Sequence, residues 1–280
     1  MKKIIKLIFS ILIKKFIHLF NKYNFGRYLL DQISKNISSS FITINHNDIN
    51  IHLSTPNSLN YFRATTFSEK EPETLSWIEQ MTEKSIFWDI GANVGLYSIY
   101  AAKLKNCEVY AFEPSVFNLE VLSKNIFLNK LTDNITTISL PLTNHIKKNK
   151  MNMSSIELGG ALSSFGENYG HDGKILKNIF QFSTIGISAD DAHTTLKIPN
   201  PDFLKIDVDG IEELILKGGH EILKNTISVL VEVNDKFIKQ KNNVEKILKN
   251  SGFYLKEKKQ SIIFKNSEFD SSYNQIWSRK

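Results

Sequence analysis

Phe87-Trp-Asp-Ile-Gly-Ala-Asn-Val-Gly-Leu-Tyr-Ser-Ile-Tyr-Ala-Ala102 is the stretch that decides the fold. The apolar run of residues 85–91 ends on Gly91, and from Gly95 to residue 105 the pattern becomes helical. A buried strand therefore turns into a helix through a short glycine loop. The same alternation continues outward. Residues 107–114 (CEVYAFEP) form a second strand stopped by Pro114, residues 116–129 a second helix, and residues 135–142 (ITTISLPL) a third strand. Residues 151–190 are rich in Ser and Gly and read as an inserted hairpin or loop system. The alternation returns with a buried strand at 202–210 (DFLKIDVDG), a helix at 212–223 and a strand at 227–234 (ISVLVEVN). A further helix ends over 244–250 at Ser251-Gly252, and residues 253–277 read as two terminal strands around a turn. Strands and helices alternating at this spacing imply an α/β fold, with a mostly parallel sheet and helices on both faces. Such sheets bind ligands beyond the carboxyl ends of their strands.

The loop Gly91-Ala-Asn93-Val-Gly95 separates two classes of ligand. A dinucleotide site calls for G-x-G-x-x-G with a pyrophosphate at the helix start, and that fingerprint is absent. Asp89 brings a carboxylate to the loop, which repels a pyrophosphate and suits an ammonium or sulfonium group. Glu113 ends the next strand, 24 residues further on, where an acid can accept hydrogen bonds from ribose hydroxyls. The acid, the glycine loop and the second acid together point to S-adenosylmethionine (SAM).

The 280 residues suffice for one large α/β domain with appendages. A single cysteine, Cys107, excludes an intrachain disulfide and a multi-cysteine metal site, and fits a reducing cytoplasm. The net charge of +6 equals the six lysines of residues 1–22 (Lys2, Lys3, Lys6, Lys14, Lys15, Lys22), a segment without an acid. The remainder is formally neutral, which argues against nucleic acid as a partner. Residues 1–22 read as a basic amphipathic helix. Lys6, Ser10, Lys14 and His18 recur every fourth residue as one narrow polar stripe. Such a helix is expected to pack on the domain or a partner subunit, or to lie on an anionic membrane surface. It is a poor candidate to span a bilayer, which needs about 20 apolar residues. Residues 23–80 form an accessory region, with strands over 41–53 turning at 45–48, and a helix opening at Glu71-Pro72. The catalytic domain is expected over residues 81–280.

Residues 87–102, 111–129 (AFEPSVFNLEVLSKNIFLN), 203–219 (FLKIDVDGIEELILKGG) and 229–234 (VLVEVN) together resemble the FkbM family of SAM-dependent methyltransferases. The resemblance covers roughly residues 85–235. It implies a class I, Rossmann-like fold with a seven-stranded sheet whose last strand is antiparallel. It also implies O-methylation of sugars, polyketides or similar metabolites, and cofactor contacts at Asp89, Gly91, Asn93, Gly95 and Glu113, with Pro114 beside the last. Family members usually carry Asp-Val-Glu-Gly-Ala-Glu where this chain has Asp207-Val-Asp209-Gly210-Ile211-Glu212.

Methyl transfer to a hydroxyl needs a base and in-line placement. Asp207 and Asp209, two apart at a strand end, are expected to project to one side of the sheet, with Lys205 sharing that parity. Glu212 and Glu213 follow at a helix start. Lys205, Asp207, Asp209 and Glu212 are therefore the catalytic candidates, with Glu232 at the same rim. The carboxylates could instead hold a divalent cation, although no metal ligand set is assigned. His193 and His220 are weaker bases to consider, and aromatic residues of 151–190 could stack on a sugar. The expected acceptor is a glycan, a glycolipid or polysaccharide precursor, or another small molecule. The alternatives are methylation of another metabolite or a macromolecule, and a non-catalytic SAM-binding scaffold. A nucleic-acid amine methyltransferase would show an Asn/Asp-Pro-Pro-aromatic motif where Asp207-Val-Asp209-Gly210 stands.

Overall fold

The computed structural model describes residues 2–260, 262–265 and 267–279. The chain opens with α1 (Lys2–Phe20), α2 (Asn24–Ser38), β1 (Phe41–His46), β2 (Ile49–Ser54), α3 (Ser58–Thr65), α4 (Phe67–Lys70) and α5 (Pro72–Glu79). Next come β3 (Ile86–Ile90), α6 (Leu96–Lys105), β4 (Glu108–Phe112), α7 (Val116–Leu128) and β5 (Ile135–Ile138). An insertion holds β6 (Leu142–Thr143), β7 (Lys147–Met153), β8 (Ser163–Phe165) and β9 (Phe180–Ser188), followed by α8 (Ala189–Leu196). The chain closes with β10 (Phe203–Ile206), α9 (Glu212–Lys217), α10 (His220–Asn225), β11 (Ser228–Asn234), α11 (Ile238–Asn250), β12 (Tyr254–Lys259) and β13 (Ser272–Ser278).

The main sheet has seven strands in the order β12-β13-β11-β10-β3-β4-β5. The ladders from β11 to β5 are parallel, and β13 runs antiparallel to both neighbours. The chain leaves β3 toward β4 and β5, then returns to place β10 on the other side of β3. That reversal opens a crevice at the carboxyl ends of β3 and β10, the position where open α/β sheets bind ligands.

Period-two alternation separates the two cores. On β3, Phe87 joins Ile99, Tyr100, Val121 and Leu122 on the face covered by α6 and α7, while Trp88 and Ile90 join Ile206, Val231 and Leu248 on the other. Asp89 and Lys205 replace apolar residues on the first face, and their Cα atoms are register partners in the β3–β10 ladder.

The accessory region is not a separate body. Ile51, Leu53, Phe67, Leu75, Trp77 and Ile78 belong to the same core as Phe87 and Val109. Trp77 Nε1–H donates to Ser228 Oγ at 3.0 Å, and Asn274 Nδ2 donates to Glu73 Oε1 at 2.8 Å. The expected β1–β2 hairpin turns through Asn47 and Asp48, at φ 48° and 62°, a two-residue turn that favours Asn and Asp.

Three expectations need correction. The insertion is an ordered four-stranded sheet beginning at Leu142, in the order β6-β9-β7-β8. The third strand ends at Ile138, because Pro141 cannot donate to a ladder and Leu142 pairs with Ile187 instead. The single helix expected over 212–223 is broken at Gly218-Gly219. A Cβ on Gly218 would sit 2.4 Å from the Thr143 carbonyl oxygen, so the backbones meet there. The helix α2 has no counterpart in the sequence reading.

Replacing Trp77 with Ala should destabilise the protein by about 3–5 kcal/mol. Denaturant unfolding should stay a single transition reported equally by both regions. Separate transitions would show that the accessory region folds on its own.

Candidate active site

The loop after β3 is shaped by backbone constraints. Gly91 and Ala92 N–H both donate to the Phe112 carbonyl, at 2.9 and 3.0 Å. Gly91 has φ +82°, and a Cβ there would lie 1.9 Å from the Asp207 carbonyl oxygen, so only glycine lets β3 and β10 converge. Gly95 has a packing role. Its missing Cβ admits Leu122 Cδ1, and it does not line the cavities described below.

Two connected cavities lie over the crevice. The inner one is walled by Gly91, Asn93, Glu113, Pro114, Leu140 and Phe165. The outer one is a cleft of about 490 Å³ that includes Arg63, Glu71, Tyr97, Lys205, Glu232 and Phe264. Gly91, Asn93, Asp207 and Asp209 border both.

Glu113 is buried and accepts from Asn93 N–H (Oε2, 2.8 Å) and Ser115 N–H (Oε1, 2.8 Å). With the Asn118 side chain as a further partner, the carboxylate still keeps acceptor capacity for a ligand hydroxyl. Burial raises its pKa to about 7. Asn93 donates through Nδ2 to Gly160 O at 2.9 Å, while its buried Oδ1 has no hydrogen-bond partner. An orphaned acceptor, an acid with spare lone pairs and an apolar slot at Pro114, Leu140 and Phe165 fit an adenosine-bearing cation.

Asp89 does not face the ligand space as expected. It is fully buried beneath the loop. Oδ2 accepts from Ser98 Oγ–H at 2.6 Å, and Oδ1 lies 3.3 Å from Lys205 Nζ. Strand alternation turns its side chain toward α6, where it anchors the loop from behind. Lys205 is also buried, 3.2 Å from Asp207 Oδ2 and 5.4 Å above the Tyr97 ring. Burial works against its charge, but Asp207, Asp89 and Glu71 outweigh it and raise its pKa. Lys205 is thus held as a cation paired with the Asp89 and Asp207 carboxylates.

Asp207 reaches the rim as expected, but Asp209 does not follow by strand alternation. β10 ends at Ile206, and Asp209 sits in a turn at φ 60°. Its Oδ2 accepts from Leu162 N–H (2.7 Å) and Ser163 N–H (3.3 Å), tying the insertion to the rim. Burial and Asp207 raise its pKa. Glu212 is buried and lines neither cavity. Oε1 accepts from Val208 and Gly210 N–H, at 3.2 and 3.1 Å, and Oε2 from Gln240. It holds the rim turn in shape and is a positioning residue rather than a catalytic one. Glu213 pairs with Lys217 and Asn243. His193 contacts the Ile198 carbonyl, and His220 pairs with Glu221 on the surface. Among the described residues, no group of three or more His, Cys, Asp or Glu is placed to hold a metal.

Glu232 stands apart. It projects into the cleft from β11, and no hydrogen bond to its carboxyl is seen among the described residues. Burial and the acids Asp207, Asp209 and Glu71 push its pKa well above the usual range.

The sequence reading missed Arg63, Glu71, Tyr97, Phe62, Phe264 and Phe269, which complete the cleft. Arg63 donates twice to the Gly159 carbonyl, from Nε at 3.0 Å and Nη2 at 2.7 Å. Burial opposes ionisation of Glu71, yet Lys70 and Lys205 bring its pKa down to about 2. No aromatic residue of 151–190 lines the cleft; Phe165 lines the inner cavity instead. The one available signal was the proline at the first turn of α5, which marks Glu71 as a helix-start residue.

The strand order, the glycine loop and the acid after β4 define a class I methyltransferase fold. The methyltransferase FkbM domain matches residues 89–255, and the chain belongs to that family. Its cofactor is SAM. Hexuronic acid methyltransferase AglP of Haloferax volcanii is 26% identical over 163 residues, 56% of this chain and 59% of AglP. Methyltransferase sdnD of Sordaria araneosa is 28% identical over 155 residues, 48% of this chain and 60% of sdnD. The chain thus spans about three fifths of the length of these curated relatives. Among solved structures, methyltransferase FkbM from Methylobacillus flagellatus KT aligns with TM-score 0.48 at 14% identity, over 80% of this chain and 54% of the other. M. jannaschii TYW2 in complex with AdoMet aligns with TM-score 0.43 at 13% identity, over 86% and 87%.

Ribose hydroxyls donating to Glu113 favour its carboxylate form, so binding should release a proton. SAM affinity measured by calorimetry should therefore rise from about pH 6 to about pH 8, across the Glu113 pKa near 7. Glu113→Gln should weaken binding and flatten this rise. An unchanged slope in that variant would remove Glu113 from the cofactor site.

Proposed function

We propose that this methyltransferase acts on a hydroxyl of a glycan, glycolipid or polysaccharide precursor, with Glu232 as the proton acceptor. The observation that carries this reading is the unpartnered carboxyl of Glu232 in a cleft continuous with the cofactor cavity. A hydroxyl is a poor nucleophile while it keeps its proton, so a base within reach of the attacking oxygen is needed. Asp207 is occupied by Lys205, Asp209 by two backbone N–H groups, and Glu71 by Lys70 and Thr74. Among these cleft acids, Glu232 alone has no partner on either carboxyl oxygen among the described residues, whereas Lys205 engages Asp207 through Oδ2.

Bound SAM supplies a methyl group activated by its sulfonium. The acceptor oxygen forms the new O–C bond as the S–C bond breaks, and Glu232 takes the hydroxyl proton. A cation beside Glu232 favours its carboxylate, so the raised pKa falls to a working range when the site is filled. Tyr97 and Lys205 close the floor and keep water from the reacting atoms. Phe62, Phe264 and Phe269 offer apolar ring faces for a sugar to lie against. That AglP acts on a hexuronic acid supports a sugar acceptor.

Incubating the protein with methyl-labelled SAM and a panel of uronic-acid and neutral glycans should yield an O-methyl sugar. Glu232→Gln should lower kcat by about 10²–10⁴-fold while leaving SAM affinity in place. The wild-type rate should rise with pH as Glu232 ionises, and the variant should lose that limb. Full activity in Glu232→Gln would overturn its role, and methylation confined to amines or carbon would overturn the acceptor class.

A further inference from the structure

The helix α1 stands out from the rest of the protein. Eleven large apolar side chains between Ile4 and Leu19 are exposed, from 40% at Ile17 to 64% at Ile4. It packs on α2 and covers no part of either core. The elbow between the two helices is tight. Gly26 is the buried residue of α2, and a Cβ there would lie 2.1 Å from the Phe20 carbonyl oxygen. The direction of α1 is therefore set by backbone contact, and its apolar surface is held outward. Exposed Tyr23, Phe25 and Tyr28 extend that surface around the elbow.

We propose that α1 and the elbow lie in the interface of an anionic lipid leaflet. Two features favour lipid over a second copy of the chain. The first is the arc of the apolar surface. Lys6, Ser10, Lys14 and His18 make one narrow polar stripe, and apolar residues occupy most of the remaining circumference. A helix–helix seam covers only a narrow a/d strip and would leave the rest in water. A lipid interface covers all but the stripe. The second is charge. Lys6, Lys14, Lys15 and Lys22 precede the first acid of the chain, Asp31, so two copies of α1 repel while anionic headgroups attract. Lysine stems can lie along the acyl boundary with their ammonium groups among the headgroups. The aromatic residues of the elbow suit the same depth. No helix among the described residues is long and apolar enough to cross a membrane, so α1 lies along the surface rather than through it. The inference is independent of the acceptor assigned above.

Vesicle flotation of the full chain tests this. Vesicles of equal parts phosphatidylcholine and phosphatidylglycerol should carry the protein, and vesicles of phosphatidylcholine alone should carry far less. Lys14→Gln should weaken the partition about fivefold and the Lys14→Gln/Lys15→Gln pair about twenty-five-fold, at ~1 kcal/mol per basic residue. Leu12→Asp on the apolar face should abolish it. All these side chains are exposed, so circular dichroism and SAM binding should match wild type and exclude misfolding. Equal binding to neutral and anionic vesicles would overturn the proposal. So would absence from both vesicle types, with or without a dimer in sedimentation that Leu12→Asp dissolves.

Discussion

Everything at the site leans on one buried ammonium. Lys205 is closed off from water in the middle of a seven-stranded sheet, where an unpaired charge would cost several kcal/mol. Its attraction to Asp89 fixes β3 against β10 in register, and its attraction to Asp207 holds the first rim residue over the crevice. The Tyr97 ring beneath it and Ser98 on Asp89 bring α6 into the same unit. Gly91 then has no choice of residue, because the Asp207 carbonyl occupies the space a Cβ would need. The glycine loop and the buried ion pairs are thus one construction. The loop lets the strands approach, and the charges keep them there.

Around this anchor, acids outnumber the cations left free to neutralise a ligand. Lys70 and Lys205 keep Glu71 ionised, Asp207 shares Lys205, and Glu232 is driven toward its neutral form by its neighbours. Such a cleft is poorly suited to a phosphate and well suited to a cofactor bearing both a sulfonium and an ammonium group. The insertion is coupled to the same place. The segment between β7 and β8 offers Gly160 O to Asn93 and Asn118 and Leu162 N–H to Asp209, and Ser163 N–H at the start of β8 joins the last. Changes in the loop before β8 therefore reach the cofactor wall directly.

The inner strands of the sheet were legible because each carries a local signature. A buried strand reads as an apolar run, and Gly91 and Pro114 mark where two such runs stop, whereas β10 ends four residues before Gly210. Glu113 was legible for the same reason, since an acid closing an apolar run follows a strand end, whereas Glu232, read as ending its strand, lies within β11 two residues before its end. Residues further past a strand end were not legible. Alternation put Asp209 beside Asp207, but it has no meaning once β10 stops at Ile206 and the backbone enters a turn at φ 60°. Glu212 looked available until its oxygens were counted against the backbone N–H groups they satisfy. Asp89 looked like a ligand contact because no local pattern shows that Ser98, nine residues on, and Lys205, on another strand, approach its oxygens. Arg63, Phe264 and Phe269 come from segments far apart in the chain, and only tertiary packing brings them to the cleft. The order of the insertion sheet depends on pairings such as Leu142 with Ile187, which no local pattern announces.

The central claim is that the inner cavity and the outer cleft are the cofactor and acceptor halves of one site, meeting at Asn93 and Asp207, with Glu232 on the acceptor side. A crystal structure of the protein with S-adenosylhomocysteine tests this most directly. The account predicts the adenine beside Pro114, Leu140 and Phe165, a ribose hydroxyl hydrogen-bonded to Glu113, and the sulfur open to the cleft that Glu232 lines. Adenine lodged in the outer cleft against Phe264, or a sulfur turned away from Glu232, would contradict it.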